Sequence, residues 1–462
     1  MKKRAIVWFR QDLRLHDNEA IEQAIRLADE IIYVYIFDER VFLGNTKFGF
    51  PKTNSIRANF IKESIDDLKQ SLNTNGAQLQ LFLGKPEEII FELAKKYKTS
   101  WVFCNRERTF EELNVQDKLE KNLWSIGQEI IYSRGKLLYH TQDLPFPIAH
   151  VPDSFTTFRK EVEKIVSIRE PIPHPINYKP LEIADYQEFD YQLLNLTQNN
   201  YSTFKGGESN GILKLKEILL DISKLGRKQF SQIENIGDFF TKLSPWLAQG
   251  CISPKLIYKE LKDFESEFGS NDITYQLFIK LLWRDYYRLI GKKYEQKIFL
   301  NTKIFSNNSK IGNIDFVVFE KWQSGKTGIP IIDAIMSELN QTGYINKKCR
   351  EIVSSFLIFE LEINWQMGAE YFESQLIDYD VCSNWCNWNF IAHHPKEYHL
   401  NVFRQAKSID SEGKYVKLWL ENFDNVPIEK IQTPFELSKE EIKKYNINLD
   451  KIYLNPMIKI NN

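Results

Sequence analysis

Residues 4–18 of the chain read RAIVWFRQDLRLHDN. The first six residues form a short apolar run that is typical of a buried strand, and the run changes at once into a segment rich in Arg and Asp. From there to about residue 135, apolar runs of strand length alternate with longer amphipathic runs. This alternation predicts crossover helices that join the strands of a parallel sheet. The N-terminal part is therefore predicted to be a doubly wound, Rossmann-like α/β domain.

The elements of this first domain, residues 1–135, can be placed individually. The predicted strands are Arg4–Phe9, Ile31–Phe37, Gln78–Phe82, Ser100–Cys104 and Glu129–Ser133. The predicted helices between them are Glu19–Leu27, Asn54–Leu72, Pro86–Tyr97 and Glu111–Trp124. No G-x-G-x-x-G motif follows the first strand, so the dinucleotide-binding fingerprint is absent. The sheet therefore need not be the place where a cofactor's pyrophosphate binds.

The rest of the chain has a different pattern. Residues 136–205 lose the alternation and gather prolines, which predicts a connector between domains. Residues 206–462 have helical periodicity almost throughout and are predicted to form an all-helical domain. Its clearest predicted helices are Ser209–Leu220, Pro254–Phe264, Thr274–Ile290, Ile331–Leu339 and Glu351–Ile363. The tail after about Trp419 has little pattern and is expected to pack loosely.

Composition limits the classes of protein. A formal net charge of -1 over 462 residues excludes a bulk polycation, so any contact with nucleic acid must come from a local basic patch. Five scattered cysteines suit reduced thiols better than a disulfide framework. The chain shows neither the apolar core of a signal peptide nor an apolar stretch that could span a bilayer, so we expect a cytoplasmic protein without membrane contact. The ten tryptophans indicate either a large aromatic core or a stacking or electron-carrying site.

The opening segment Val7–Asn18 resembles the first signature of the cryptochrome/photolyase family. Three later segments, residues 144–146 (LPF), 151–160 (VPDSFTTFRK) and 206–208 (GGE), resemble the DASH-type branch of that family. Taken alone, the charges of the opening segment could simply pair with each other and hold a loop. Several long motifs in the same order make chance similarity a poor explanation. The resemblance implies that the helical domain binds FAD and that the protein responds to blue light.

The resemblance implies an FAD phosphate site at Thr241, Lys242, Leu243 and Ser244. Hydroxyl groups and the free amides of a helix start are anion donors, and Lys242 adds charge. Without the resemblance, this segment would be interpreted as an ordinary helix cap before Pro245.

The segment DYDVCSNWCNW, residues 378–388, has the strongest likeness to the family. The resemblance places Asp378 and Asp380 along the flavin ring edge, Asn384 opposite flavin N5, and Arg350 as the partner of Asp378. An Asn amide can hydrogen-bond N5 in several redox states, whereas an ionised Asp would oppose an anionic reduced flavin. A buried ion pair is the structural alternative for Arg350 and Asp378, and a flavin cavity requires such compensation too.

Trp388 and Trp365 match the first two members of the family's electron-transfer chain of tryptophans. The third member is missing, because Gly312 stands at the equivalent position and residues 301–315 contain no tryptophan. Either another aromatic residue such as Trp385 or a nearby tyrosine completes the path, or photoreduction is weak. Two buried core tryptophans are the alternative interpretation.

A candidate DNA-binding helix contains Lys280, Trp283, Arg284, Tyr287 and Arg288. Basic residues interleaved with aromatic residues can bind phosphates and stack a base, although a solvated basic face has the same pattern. The resemblance makes this the lesion-binding helix. Two residues depart from the family: Lys280 stands where it has Glu, and Lys347 stands where it has Asn. The family pattern resumes at Asn401–Ala406, which adds Gln405 to the DNA-binding candidates.

Two further segments contain candidate ligand-binding residues. Residues 106–112 (RERTFEE) resemble the DASH-type segment that contacts a folate antenna, methenyltetrahydrofolate, and Glu107 is the candidate contact. An exposed carboxylate at a helix start is the alternative for Glu107. Cys382, Cys386, His393 and His394 have side chains suited to zinc, but the family places this segment against FAD, so no metal site is predicted.

Three functions follow from these observations. The first is light-driven repair of cyclobutane pyrimidine dimers, in single-stranded DNA, by electron transfer from reduced FAD, which is the activity of a deoxyribodipyrimidine photo-lyase. The second is a blue-light photoreceptor without efficient repair, which Lys280 and Lys347 favour. The third is a flavin-free nucleotide-binding α/β enzyme with a helical lid.

Overall fold

The N-terminal part contains a parallel sheet of five strands in the order β3-β2-β1-β4-β5. The computed structural model describes residues 2–183, 187–194, 196, 204–224, 242–300, 312–421, 423–447 and 455–458. The strands are β1 Arg4–Phe9, β2 Glu30–Asp38, β3 Leu79–Gly84, β4 Trp101–Asn105 and β5 Glu129–Ser133. All five predicted strands are confirmed, with ends that differ by at most two residues.

Helices cover both faces of this sheet. They are α1 Glu19–Leu27, α2 Glu39–Phe42, α3 Ser55–Thr74, α4 Pro86–Tyr97 and α5 Phe110–Ser125. Alternate residues of β1 point to opposite faces, as the period of two requires. Ile6 and Trp8 belong to one hydrophobic cluster, and Val7 and Phe9 belong to the other. The doubly wound α/β prediction is therefore confirmed.

The C-terminal part is helical. The remaining helices, the first of which lies in the connector, are α6 Phe155–Val162, α7 Glu208–Lys224, α8 Ser244–Ala248, α9 Pro254–Phe268, α10 Asp272–Tyr294, α11 Phe316–Gln323, α12 Pro330–Thr342, α13 Lys347–Ser355, α14 Trp365–Gln375, α15 Val381–His393, α16 Pro395–Tyr398, α17 Val402–Ile409, α18 Lys414–Trp419 and α19 Lys439–Lys444. Within the described ranges, no helix is long and apolar enough to cross a bilayer.

One predicted helix, Glu351–Ile363, has the wrong bounds. Helix α13 begins earlier, at Lys347, because the Asn346 side chain caps it by accepting a hydrogen bond of 2.8 Å from the amide of Cys349. The chain then continues as a short π-helix over Phe356–Glu360. Apolar periodicity missed the start because the first turn is polar, and it overran the end because Ile363 is buried without being helical.

The segments outside the clearest patterns are also anchored. In the connector, the amides of Leu138 and Tyr139 donate to the Asp285 carboxylate on α10, at 3.0 and 2.9 Å. In the tail, Phe423 and Ile431 are each 1% exposed, so the expectation of loose packing is wrong for residues 423–447. Isolated apolar residues gave no periodic signal there, but they are buried all the same. The domain boundaries at residues 135 and 205 stay predictions.

Candidate functional site

A cavity of about 310 Å³ lies among α8, α10, α13 and α15, and we call it the central cavity. Its volume is within the range of ligand sites. Residues far apart in the sequence meet there because four helices converge. The predicted site residues that line it are Leu243, Ser244, Lys280, Trp283, Arg284, Tyr287, Lys347, Arg350, Asp378, Asp380, Asn384 and Trp388.

Five other predicted site residues are not in that lining, and one of them, Glu107, is described below. Thr241 lies outside the described residues. Lys242 is exposed, has a φ of +25°, and does not line the central cavity. Trp365 is buried behind the cavity wall, and Gln405, on α17, is absent from the lining. The structure therefore brings neither Lys242 nor Gln405 to this site.

The buried Asp378 forms an ion pair with the half-buried Arg350 on one wall. Nη2 of Arg350 lies 2.9 and 2.8 Å from the two carboxylate oxygens of Asp378. Nε of Arg350 donates to the carbonyl of Ile345 at 2.9 Å. Burial opposes the charge of Arg350, but the Asp378 carboxylate outweighs it and raises the pKa of the guanidinium. The predicted pairing is present, and both charges are compensated in the cavity wall.

Asp380 pairs with Arg288, on the opposite helix. Nη2 of Arg288 lies 2.5 Å from Oδ2 of Asp380, and Asp380 also accepts hydrogen bonds of 2.9 Å from the amide and hydroxyl of Ser383. Burial would raise the pKa of Asp380, but the charges of Arg288 and Arg284 and the bonds from Ser383 hold it well below its usual range. Arg288 is 3% exposed, so the prediction that it belongs to a DNA-facing basic surface is wrong. Its neutralising role had no local sequence signal, because its partner is 92 residues away.

Asn384 contributes an amide to the central cavity. Its Nδ2 donates to the carbonyl of Ala369 on α14 at 2.9 Å, which orients the amide. Among the described residues, Oδ1 of Asn384 has no hydrogen-bond partner. A carbonyl oxygen of this kind can accept a hydrogen bond from a ligand N–H group in the cavity.

The start of α8 differs from an ordinary capped helix. Leu243 occupies the cap position and supplies no side-chain hydrogen bond. The helix-cap alternative therefore has no support from Leu243.

Trp388 and Trp365 both lie at helix α14. The ring of Trp388 lies on Gly368, where a Cβ atom would come 2.3 Å from the ring. Trp365, one turn away on α14, has its ring centre 5.9 Å from that of Trp385. At Gly312, a Cβ atom would lie 2.3 Å from the carbonyl carbon of Ile363, so this backbone excludes a tryptophan there. The position of the missing third tryptophan therefore has no room for a side chain.

The mouth of the cavity is aromatic and basic, and we call Lys280, Trp283 and Lys347 the rim. Phe155 stacks on Trp283 with ring centres 3.6 Å apart, and Nζ of Lys347 lies 5.3 Å from the Trp283 ring centre, within reach of a cation–π interaction. Phe155 was missed as a site residue, although it lies in the segment 151–160 that carries the family resemblance. Lys280 is exposed, and partial desolvation, followed by the charge of Lys347, lowers its pKa to about 8.

Arg284 and Tyr287 hold the wall behind the rim. The Arg284 guanidinium donates to the carbonyls of Lys136 and Leu247 at 2.7 and 3.2 Å, so two of its donors are used inside the protein. The Tyr287 hydroxyl donates to Oδ1 of Asn387 at 2.7 Å.

Glu107 lies at the carboxyl edge of the sheet and not in the central cavity. It is 3% exposed and forms an ion pair with Lys136. Burial would raise the pKa of Glu107, but the charges of Lys136 and Arg10 lower it. Helix α5 starts only at Phe110, so the alternative of an exposed helix-start carboxylate is wrong.

One group of potential metal ligands occurs within the described ranges: His16, His174 and Glu208. Nδ1 of His16 lies 2.5 Å from Oε1 of Glu208, and its Nε2 accepts a hydrogen bond of 3.1 Å from the amide of Ser253. Both ring nitrogens of His16 are therefore occupied, and a metal would have to displace a hydrogen bond. Cys382, Cys386, His393 and His394 are not gathered into a ligand set in the described part of the chain.

Comparison with known proteins gives matches over nearly the whole chain. The family described as the FAD binding domain of DNA photolyase matches residues 277–462, and the family described as DNA photolyase matches residues 5–176. Cryptochrome DASH of Synechocystis sp. is 40% identical, covering 98% of this chain and 94% of the relative. Cryptochrome DASH of Xenopus laevis is 36% identical, covering 98% and 89%.

Solved structures agree with these matches. The crystal structure of Synechocystis cryptochrome aligns with a TM-score of 0.90 at 38% identity, covering 99% of this chain and 97% of that one. A bacterial class III photolyase from Agrobacterium tumefaciens aligns with a TM-score of 0.84 at 26% identity, covering 99% and 95%. The chain therefore belongs to the cryptochrome/photolyase family. Within that family it is of the DASH type.

FAD is the cofactor that this membership gives the helical part, and the central cavity fits it. Compensated carboxylates at Asp378 and Asp380, the acceptor Oδ1 of Asn384 and the flat ring of Trp388 are the groups that a flavin ring requires. Arg350 and Ser244 add donors. The flavin-free enzyme considered from the sequence has no support in these matches.

Proposed function

We propose that this protein repairs cyclobutane pyrimidine dimers in single-stranded DNA in blue light, as a deoxyribodipyrimidine photo-lyase. One observation carries the proposal: the groups assigned to flavin and the aromatic, basic rim line the same cavity. A dimer turned out of the strand and held at the rim would therefore lie beside the flavin. Enzymes that act on a base commonly hold it outside the stack in this way.

The residues have distinct proposed roles. Asp378, Asp380, Arg350 and Asn384 hold and orient the flavin ring, and Leu243 and Ser244 face its phosphates. Thr241 and Lys242 stay part of the phosphate proposal on the resemblance alone. Bound reduced FAD supplies an electron on illumination and takes it back after the ring of the dimer opens.

At the rim, Trp283 stacks the extruded base and Lys347 binds a backbone phosphate. The Lys280 ammonium donates a hydrogen bond to a pyrimidine carbonyl and stabilises negative charge that develops there. It cannot accept a hydrogen bond, so we expect repair slower than with a carboxylate at this position. Arg284 and Tyr287 support this wall, and Gln405 is a DNA contact outside the cavity.

Trp388 and Trp365 are proposed to carry electrons from the protein to oxidised FAD. Trp388 lines the cavity and its ring lies on Gly368, one turn of α14 from Trp365. Glu107 is proposed to contact a folate antenna, since its carboxylate is ionised and lies beside Lys136 near Arg288. All five cysteines are buried free thiols, which supports a reducing, cytoplasmic location.

The rival function is a photoreceptor without efficient repair, and the two lysines of the rim favour it. The deciding experiment illuminates FAD-loaded, fully reduced protein with a single-stranded oligonucleotide that contains one thymine dimer. Repair is measured as recovery of the undamaged strand by chromatography, with a dark sample as control. Recovery that depends on light and is lost in Trp283→Ala supports the proposal. No recovery with fully reduced FAD favours the photoreceptor.

A further inference from the structure

The missing third tryptophan leaves the electron path without a defined end. Trp365 is 1% exposed, so an oxidised Trp365 needs a further donor to reach solvent. Within the described ranges, the ring of Trp385 lies 5.9 Å from that of Trp365, centre to centre, with planes at 75°, and the ring of His393 lies at 6.4 Å. Trp385 is itself 6% exposed, so it also requires an exit.

Trp385 is joined to a tyrosine and a carboxylate. Its Nε1 lies 3.3 Å from the hydroxyl oxygen of Tyr379 and 3.3 Å from Oε2 of Glu373. The Tyr379 hydroxyl and the Glu373 carboxylate therefore face the same indole N–H group. Tyr379 and Glu373 are both partly exposed. Tyr379 borders the central cavity, but its phenol oxygen lies with Trp385, which does not line the cavity.

We propose that Trp385 and Tyr379 replace the missing third tryptophan, with Tyr379 as the terminal electron donor and Glu373 as the acceptor of its proton. This inference rests on the proposed roles of Trp388 and Trp365. The oxidised Trp365 takes one electron from Trp385, which takes one from Tyr379. The phenol proton moves to the Glu373 carboxylate at the same time, and this leaves a neutral phenoxyl radical and a protonated carboxyl. A dissolved thiol then returns one electron to Tyr379, and Glu373 returns the proton.

The surroundings of Glu373 suit this role. Burial, above all, raises the pKa of its carboxyl, while the hydroxyl of Tyr379 and the charges of Lys52 and Arg57 lower it and the charge of Glu111 raises it. A higher pKa makes the carboxylate a better proton acceptor. The Arg57 guanidinium lies 5.0 Å from the Tyr379 ring centre and disfavours a positive charge there. Loss of the proton to Glu373 removes that positive charge.

Trp322, a tryptophan neighbour of Trp388, is less suited to this role. The ring of Trp322 lies 6.5 Å from that of Trp388, but Trp322 is 0% exposed and its Nε1 donates to the carbonyl of Val353 at 3.2 Å. A backbone carbonyl cannot accept the indole proton as a carboxylate can. Oxidation there would leave a buried positive charge without a proton acceptor.

The test uses the full-length, FAD-loaded protein, frozen during blue illumination without reductant, and electron paramagnetic resonance to identify the radical. Wild type should show a neutral tyrosyl signal that narrows when ring-deuterated tyrosine is incorporated. Tyr379→Phe should lose that signal, and Glu373→Gln should leave the radical on tryptophan. Tyr371→Phe is the matched control, because Tyr371 lies near Trp322, at 5.9 Å between ring centres. Melting temperature and FAD content confirm that each variant is folded.

The outcomes separate this inference from the proposed function. A tyrosyl signal that survives in Tyr379→Phe, or a wild type that shows only tryptophan radicals, overturns the inference. If Trp388→Phe retains the protein radicals, the electron path of the proposed function fails, whatever Tyr379 does. If Trp388→Phe loses every radical and Tyr379→Phe loses only the tyrosyl signal, both stand.

Discussion

Nη2 of Arg288 lies 2.5 Å from Oδ2 of Asp380, and the two side chains are 3% and 6% exposed. Arg288 is on α10, the helix that also carries Lys280 and Trp283 of the rim. Asp380 caps the start of α15, the helix that carries Asn384 and Trp388. The pair therefore fixes the distance between the helix proposed to contact DNA and the helix proposed to contact flavin. A buried pair of this kind contributes little net stability but is costly to break, because the remaining charge is uncompensated.

Arg288→Met should therefore lower the free energy of unfolding by roughly 3–5 kcal/mol and reduce FAD content. Urea denaturation followed by fluorescence measures the first effect, and absorbance at 450 nm measures the second. The matched control is Lys85→Met, which breaks the exposed pair Lys85–Glu88 and should leave the stability close to that of wild type. Equal stability of Arg288→Met and wild type would show that the pair is not required.

The same pair predicts a pH dependence. The pKa of folded Asp380 is lowered, so its contribution is present above the pKa of the unfolded carboxyl, about 3.9, and is lost as the pH falls toward the folded value. The stability difference between wild type and Arg288→Met should thus shrink as the pH falls below about 4. A constant difference from pH 7 to pH 3 would contradict this account.

Asn384→Asp should change the first reduced species that accumulates under illumination. An ionised carboxylate beside flavin N5 opposes negative charge on the reduced ring, whereas the amide does not. The absorbance spectrum recorded during photoreduction in the presence of a thiol is the measurement. Asn387→Asp, one turn further along α15, is the control. Identical spectra for Asn384→Asp and wild type would remove Asn384 from this role.

Trp388→Phe should abolish photoreduction by an external thiol while FAD stays bound, because the aromatic relay that lines the cavity is lost. The rate of loss of flavin absorbance at 450 nm under blue light is measured. Trp322→Phe tests the neighbouring ring on the other side and should retain photoreduction. Unchanged photoreduction in Trp388→Phe would mean that the path starts at another residue.

Trp283→Ala should weaken binding to dimer-containing single strands by about 1–3 kcal/mol, the usual contribution of stacking one base. Fluorescence anisotropy with a labelled oligonucleotide measures it. Trp124→Ala, whose ring is 71% exposed on α5, is the control. Equal affinity of Trp283→Ala and wild type would exclude the rim as the lesion site.

Lys280 predicts a second effect on DNA. Its pKa of about 8 means that the cation is present below pH 8 and is lost as the pH rises. The affinity of wild type for single strands, and the slope of its salt dependence, should therefore fall between pH 7 and pH 9. Lys280→Met should bind more weakly at pH 7 and lack this change. If the absence of a carboxylate at position 280 limits repair, Lys280→Glu should repair faster per bound strand, although it binds DNA more weakly.

Much of the candidate site could be predicted because the chain retains the family's motifs. Asp378, Asp380, Asn384 and Trp388 occur within one segment of eleven residues, so one likeness located them together. Gln405 had the same kind of support and does not line the cavity. A motif reports which family a segment belongs to, but the packing of its helix decides which way each side chain faces.

The sequence by itself determined the order of strands and helices, because period-two and helical patterns report which face of each element is buried. It also determined local ends, as at Asn18, whose side chain accepts from the amides of Ala20 and Ile21 and starts α1 at Glu19. Only the tertiary structure decided that Arg288 neutralises Asp380, that Phe155 backs Trp283, and that Trp385 meets Tyr379. The first two of these contacts join residues on different elements, and the third depends on the orientation of two side chains across a helix start. Such contacts are set by how helices pack, which no local periodicity encodes.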